Sequence, residues 1–484
     1  MSLVIQQQPK YRLIPANSNI IYTMYDSVTI NPSTGKFKIK YTAEVFVSKK
    51  TANITNAENR VAVLKVSPNG EGYGMFDLSP LLQNYVSADY LGGVVHNTND
   101  IHKSKYNGVQ FSEIKPHNIH QIDRFSTNRN SVRFFKVRFN VEASDSATGS
   151  VSKQYNSNVD ADIKILYNGV LYDTDVINLD GSTGNFGYHI DQAGFIMNSN
   201  TDKFATNAPV KQYLRDNDYL TMPYFSQYNY DFVVGTASAT HPSVKQLEIQ
   251  FYYNGATTGS LITNSIQAAN GGHAGYMNDS NTKFQFAGIG IGNMRGAGIT
   301  IPTNWDYYTV QAFDSTGTAI SQIYEFYNQE EDCKNYETIR LTWLNKFGGW
   351  DYYNFTKKSV KTFNTDRKSY TQISGSWNGS RFRPDGHLGG KKYFTNNTTE
   401  SIVLNTDFIT EEDAIWLEEL FNSNDVYILE QRSTDNANEG YLRKYIRPAR
   451  ITDSSHTRKT KANDRLIQYT FNIEVDKTKK SQLM

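Results

Sequence analysis

The residues able to do chemistry are scattered, and no group of them completes a reacting pattern. His117-Asn-Ile-His120 has a spacing that could bring two imidazoles near a metal. No glutamate stands in the zincin position and no cysteine lies nearby, so two unrelated loop histidines are the expected reading. Asp216-Asn-Asp218 opens like a calcium loop, but Tyr219-Leu220-Thr221 follows where a glycine is needed. No distal glutamate closes the set, and a turn is expected. Gly288, Gly290, Gly292, Gly296 and Gly298 lie in AGIGIGNMRGAG. A dinucleotide fingerprint started at Gly290 would need glycine at 295, where Arg295 stands, and no Walker lysine follows. The stretch reads as a flexible or closely packed loop, able to order against a neighbouring subunit. No nucleophile elbow occurs. Glu411, Glu412, Asp413, Glu418 and Glu419 are accounted for by helix-end electrostatics and a solvated face. No catalytic, cofactor-binding or metal-ligating residue is nominated, and a chain that is not an enzyme and carries no cofactor is expected.

A basic tail runs through Arg443, Lys444, Arg447, Arg450, Arg458, Lys459, Lys461 and Arg465 to Lys477, Lys479 and Lys480. A basic stripe can bind phosphates. Here it interleaves with strand residues and has no stacking platform, so solvated strand faces or contacts to an acidic neighbour are expected. Asn-x-Ser/Thr triplets such as Asn397-Thr398-Thr399 arise by chance in a chain this rich in Asn and Thr.

The densest feature is Arg340 to Val360, RLTWLNKFGGWDYYNFTKKSV. It gathers Trp343, Phe347, Trp350, Tyr352, Tyr353 and Phe355 around Gly348-Gly349. Aromatic rings supply large buried area, and Tyr and Trp keep a polar handle that bonds across a contact. The glycines let backbone and rings approach closely. Packing or interface is the role expected for Trp343, Phe347, Gly348, Gly349, Trp350, Tyr352 and Phe355, and subunit contact for Gly288, Gly290 and Gly292.

The elements that position these residues read as strands. Phe37 to Val47, Phe135 to Val141 and Ile467 to Val475 alternate apolar and polar residues with period two, each fitting a strand with one buried face. Tyr167-Asn168-Gly169 and Tyr253-Asn254-Gly255 each end a strand in the pair favoured by type I′ hairpin turns. Ser79-Pro80 predicts a short helix capped by Ser79. Thr410 to Phe421 predicts a better one, with Thr410 as cap, Asp413 at the third position, and Trp416, Leu417, Leu420 and Phe421 on one face that lies on a sheet.

At 484 residues the chain is too long for one typical core. Tyr (33) and Phe (26) are abundant and Pro (12) scarce, which with Asn- and Gly-rich turns points to an all-β, multidomain protein of mainly antiparallel sandwiches or barrels with few short helices. Boundaries are expected near 145 and 330, giving 1–145, a middle 146–330 with long loops such as 268–282, and 331–484 with the helix at about 410–422. The formal charge of +1 gives no bias toward nucleic acid or membranes. The single Cys333 excludes an intrachain disulfide and a cysteine metal cluster. No signal peptide or apolar span is evident, so a protein made in the cytoplasm is expected.

TWLNKFGGWDYYNF (342–355), EEDAIWLEELFNSNDVYIL (411–429) and NDRLIQYTFNIEV (463–475), with PANSNIIYTMYDS (15–27) and VLKVSPNGEGYGMFDLSPLLQNYV (63–86), resemble virion proteins of tailed phages of Bacteroidetes, crass-like phages among them, and of related marine phages. The resemblance covers both ends of the chain and is weaker over 146–330. It implies a structural tail or neck component, a ring, hub or baseplate-type part of the virion. Its partners would be copies of itself and other virion proteins, with no specific nucleic acid and no membrane. The alternative is a head- or tail-attached protein that binds a host glycan through exposed Tyr and Trp.

Overall fold

The computed structural model describes residues 3–9, 11–89, 105–106, 109–110, 120, 125–170, 172, 176–179, 186–188, 195–226, 244–264, 280, 283–296, 299–314, 316–329, 336–376, 379–430, 446–453 and 467–480. The chain divides into two units: residues 1–329 with 344–351, and residues 330–343 with 352–484. Both are built from β-sheets, and among the described residues no barrel closes.

In the first unit the period-2 runs become long strands. Phe37–Ser48 and Val132–Ser144 pair antiparallel at the centre of a seven-stranded sheet. A three-stranded sheet of Leu3–Gln7, Ile21–Asp26 and Tyr73–Asp77 shares its core. Tyr22, Met24 and Phe76 from the small sheet meet Tyr41, Val45, Val137 and Phe139 from the large one, as in a sandwich. A buried polar knot ties the two together. Tyr41 donates to the Gly72 carbonyl (2.7 Å) and accepts from the Asp26 N–H, while Tyr155 donates to the Asp26 carboxylate (2.8 Å). Burial first, then the nearby Asp26 charge, pushes the Tyr41 hydroxyl up to about 12.

The same unit holds a five-stranded sheet, in the order Lys211–Leu214, Tyr324–Asn328, Tyr307–Phe313, Gln246–Tyr253, Ala256–Asn264. A three-stranded sheet of Thr221–Phe225, Phe284–Gly288 and Phe125–Thr127 completes the larger sheets. The Asn254-Gly255 pair makes the expected two-residue turn: Tyr253 opposes Ala256, and both turn residues have positive φ (49° and 76°).

Its twin does not. Asn168-Gly169 lies inside the strand Lys164–Val170, at an irregularity in its parallel pairing with Leu13–Asn17. The Asn168 N–H donates to the Ser131 carbonyl and the Val170 N–H to the Lys346 carbonyl, so tertiary partners hold this stretch open as a bulge. The short helix α1 (Ser79–Leu82) forms as expected, but Leu78 stands at its N-cap and Ser79 is its first residue, its N–H (3.0 Å) and hydroxyl (2.6 Å) both donating to Asp77 Oδ1. The carboxylate two residues earlier takes up the Ser79 hydroxyl, which therefore caps nothing.

Among the described residues, the strands of the second unit lie in a seven-stranded sheet in the order Trp350–Phe355, Ile339–Leu344, Val426–Leu429, Ile446–Ile451, Thr470–Lys480, Gly390–Asn405, Val360–Gln372, of which Leu344, Trp350 and Asp351 are counted with the first unit. Its two edge strands are neighbours in sequence, joined through residues 356–359. Six strand spacings laid flat would part them by about 29 Å, whereas five residue steps reach at most about 18 Å. The sheet must therefore coil back on itself. Rings meet across the hollow, Phe355 on Phe471 with centroids 5.5 Å apart.

The helix Glu411–Asn422 fills one side of that hollow. Thr410 and Asp413 form the capping box, the hydroxyl accepting from the Asp413 N–H and the Asp413 carboxylate from the Thr410 N–H. Trp416 packs on Trp343 (5.1 Å) and Tyr353 (6.0 Å), and Phe421 stacks on Phe471 (4.4 Å).

Candidate functional site: a buried aromatic hairpin and two exposed surfaces

Asn345 organises the turn of the aromatic hairpin. Its Oδ1 accepts from the Phe347 (3.0 Å) and Gly349 (2.9 Å) N–H groups. Its Nδ2 donates to the Ala205 carbonyl (3.0 Å) and the Asp351 carboxylate (3.0 Å), which also accepts from the Thr206 hydroxyl (2.7 Å). Gly348 has φ of +80°, and a Cβ there would overlap the Asn168 carbonyl oxygen. One at Gly349 would overlap the Pro223 ring. Within the first unit, Phe347 meets Phe195 (4.4 Å) and Trp350 meets His120 edge-on (5.3 Å). Within the second, Trp343, Tyr352 and Phe355 are buried, and the Arg340 guanidinium lies over the Tyr352 ring (5.0 Å) and donates to Asn354 (2.9 Å). The segment is an interior of rings and satisfied amides, with no group poised to react.

The glycine stretch is built differently from the expected loop. Gly288 ends a strand opposite Thr221, and α2 (Ile291–Gly296) follows at once. A Cβ at Gly290 would overlap the Leu220 N–H, and one at Gly292 would come within 2.8 Å of the Tyr219 ring. These glycines bring α2 against the 217–220 turn of the same unit. There the Leu220 N–H donates to Asn293 (2.8 Å) and the Gly292 N–H to the Asp218 carbonyl (3.0 Å). The stretch packs inside its unit rather than presenting a loop to a neighbour. The apolar residues Phe284, Phe286, Ile289 and Ile291, with Ala287, Gly288 and Gly290 among them, were the signal for a buried element.

The other sequence candidates fall into structural roles. Asp218 is buried against Arg215 (3.0 Å), and Asp216 pairs with Arg295 (2.8 Å). His120 is buried beside Trp350, while His117 lies outside the described residues, as do most of 268–282 and of the basic tail. Of that tail, Arg447 pairs with Glu400 (3.3 Å) and Glu430 (2.8 Å), and Arg450 with Glu474 (2.7 Å). Among the described residues, no group of three or more His, Cys, Asp or Glu could hold a metal ion, and no helix is long and apolar enough to cross a membrane.

Two surfaces were not read from the sequence. Across four adjacent strands of the five-stranded sheet run Tyr213, Tyr327, Tyr307 and Tyr252, with centroids 5.8, 5.1 and 4.6 Å apart. The last pair is stacked at 7°, so these rings face one another. The hydroxyls of Tyr327 and Tyr252 donate to Glu325 (2.8 Å) and Gln250 (2.9 Å). The hydrogen bond to Glu325 and the carboxylate's charge help push the Tyr327 hydroxyl up to about 12.

The second surface is an arm. Val360–Gln372 pairs with Gly390–Asn405 from Val360 opposite Val403 to Gln372 opposite Gly390. Among the described residues the third strand runs to Lys480 opposite Asn397, and beyond that point the ribbon has two strands. Its residues are exposed on both faces, among them Phe363, Ile373, Phe382, Tyr393 and Phe394. Arg367 sits over the Tyr393 ring (5.5 Å), and Tyr370 contacts Phe394 (6.4 Å) on the other face.

Comparison with known proteins adds little to this geometry. No protein-family model matches the sequence, and no curated protein does. Among solved structures, the crystal structure of dimeric latent PorU from Porphyromonas gingivalis aligns over 83% of this chain at 9% identity and a TM-score of 0.16. The chain spans 32% of that protein's length, and a likeness this weak carries no argument about fold or role.

Proposed function

We propose that the chain is a structural, non-enzymatic component of a tailed-phage virion, a tail or neck part that assembles with copies of itself into a symmetric ring. The observation that carries this reading is the arm. An isolated two-stranded ribbon is marginal in water, and a long exposed edge strand invites pairing with other chains. Val360–Gln372 is such an edge, exposed along nearly its whole length and bearing large apolar side chains. An element of this kind is sustained when a neighbour covers it. The resemblance of the chain's two ends to virion proteins of Bacteroidetes phages is what suggests the particle.

The tyrosine ladder bears on the glycan-binding alternative. A sugar stacks on an aromatic face, and here the faces of Tyr252 and Tyr307 are spent on each other. The ladder stiffens its sheet through cross-strand pairs and favours the structural reading.

The test is mass spectrometry of purified virions with immunogold labelling. The protein is expected in stoichiometric amounts at one location on the tail or neck. Its absence from particles refutes the proposal, and specific retention on host capsule glycan would support the alternative.

A further inference from the structure

Granting an assembly role, we infer that the arm docks on the acidic 405–425 surface of a second copy of this chain. Residues 360–399 hold seven Lys or Arg against two Asp. Residues 405–425 hold seven carboxylates and no Lys or Arg; Glu419 is buried and Asp407 pairs with Lys357 (2.9 Å), which leaves five to form the acidic surface. The whole chain carries only +1, so these charges are segregated rather than in excess, and the molecule is complementary to its own kind.

Apolar groups match as well. The arm exposes Ile373 (76%), Phe382 (53%) and Phe394 (49%), and the acidic surface exposes Phe408 (55%) and Ile415 (47%). On the helix, Ile415 stands three and four residues from Glu411, Glu412 and Glu418, so carboxylates border an exposed aliphatic side chain. That combination suits a cationic ribbon with apolar side chains. Duplex DNA would use the arm's cations but would leave Phe408 and Ile415 unmatched.

The contact is between copies, because the arm cannot reach its own helix. The ladder from Val360 to Gln372 is continuous but for one shift at Lys368/Ser369. It holds the tip about 40 Å from the root. The acidic stretch begins at that root, directly after Asn405. Arm and receiver are different patches, which makes the contact heterologous and able to close a ring or extend a filament.

Sedimentation of the full-length protein at low and high salt tests this. The parent should associate at high micromolar concentration and come apart as salt screens the charges. Lys391→Glu with Lys392→Glu, and separately Glu411→Lys with Glu412→Lys, should each weaken association at least about tenfold. The four changes combined in one chain, or the two variants mixed, should restore it. Ile415→Lys should weaken it while leaving the first turn of the helix intact, and circular dichroism melting checks that each variant folds.

A parent that stays monomeric, an arm reversal that assembles normally, or failure of the combined variant to recover overturns the contact. So does an arm reversal that abolishes retention of duplex DNA while leaving association unchanged. Solution association is independent of the virion assay. A chain absent from particles yet joined arm to helix would retire the phage assignment and keep the contact.

Discussion

Replacing Asn345 by alanine should unfold the first unit's aromatic turn from within. The amide makes four buried hydrogen bonds: two accepted from the N–H groups of Phe347 and Gly349, one donated to the Ala205 carbonyl, and one donated to the Asp351 carboxylate. At about 1 kcal/mol for each neutral bond and about 2 kcal/mol for the charged one, the upper bound is about 5 kcal/mol. Relaxation of the turn toward water recovers part, so a loss of about 3–5 kcal/mol is expected in urea unfolding followed by circular dichroism. Asn345→Asp is the sharper probe. It keeps both accepted bonds but sets a second carboxylate 3.0 Å from Asp351. Like charges at that distance raise the folded pKa of the pair above the unfolded value of about 3.9. A carboxyl raised in this way favours the folded state below its unfolded pKa, and that benefit is lost as pH rises through the folded value. The Asn345→Asp variant should therefore lag the parent most at neutral pH and recover toward pH 4. An Asn345→Ala variant within about 0.5 kcal/mol of the parent would refute the reasoning, as would an Asn345→Asp deficit that does not change with pH.

Burial lowers the Lys164 ammonium, whose Nζ donates to the Pro9 carbonyl (2.8 Å), to about 8. The unfolded chain thus binds more protons between about 8 and about 10.4, so this group adds stability as pH rises through that window. Lys164→Met should flatten this rise, read as unfolding midpoint against pH. Gly255→Ala, at φ +76° in open space, should cost about 1 kcal/mol. Gly169→Ala, where a Cβ would overlap the Tyr167 ring, should cost at least ~2 kcal/mol in the same denaturation series, although both follow Tyr-Asn. Trp416→Ala removes the ring that meets Trp343 and Tyr353 and should destabilise the second unit by about 3–5 kcal/mol, measured by thermal melting.

The sequence made legible what local rules control. Period-2 alternation located Phe37–Ser48 and Val132–Ser144 because alternate apolar residues, Tyr41 to Val47 and Phe135 to Val141, enter one core. The capping box located the long helix, since Thr410 and Asp413 are three residues apart. The two Tyr-Asn-Gly tripeptides separate local from tertiary control. The second closes as a two-residue turn between its own strands, with the Asn254 N–H donating to the Asp306 carboxylate (2.6 Å), whereas the first is held in a bulge by Ser131 and Lys346, distant in sequence. The tyrosine ladder was out of reach for the same reason, its members standing at 213, 252, 307 and 327. The arm escaped because Val360–Gln372 and residues 390–399 opposite it have no buried face and so no alternation, which begins only at Glu400, Ile402 and Leu404. Cross-strand pairing forms it, and only Lys-, Thr- and Asn-rich sequence marks it.

The return of residues 344–351 to the first unit has a consequence for the order of synthesis. A ribosome that has released residue 329 has made nearly all of that unit but not its last eight-residue piece, and must first translate 330–343 of the next. Until Gly348 and Trp350 emerge, the ring of Phe195 and the carbonyls of Ala205 and Asn168 lack the partners that cover them. The nascent first unit should therefore dwell as an incomplete intermediate, prone to association through its open interior. Expression of residues 1–329 alone would hold the chain in that state, whereas a stop after residue 351 would supply every segment the unit contains.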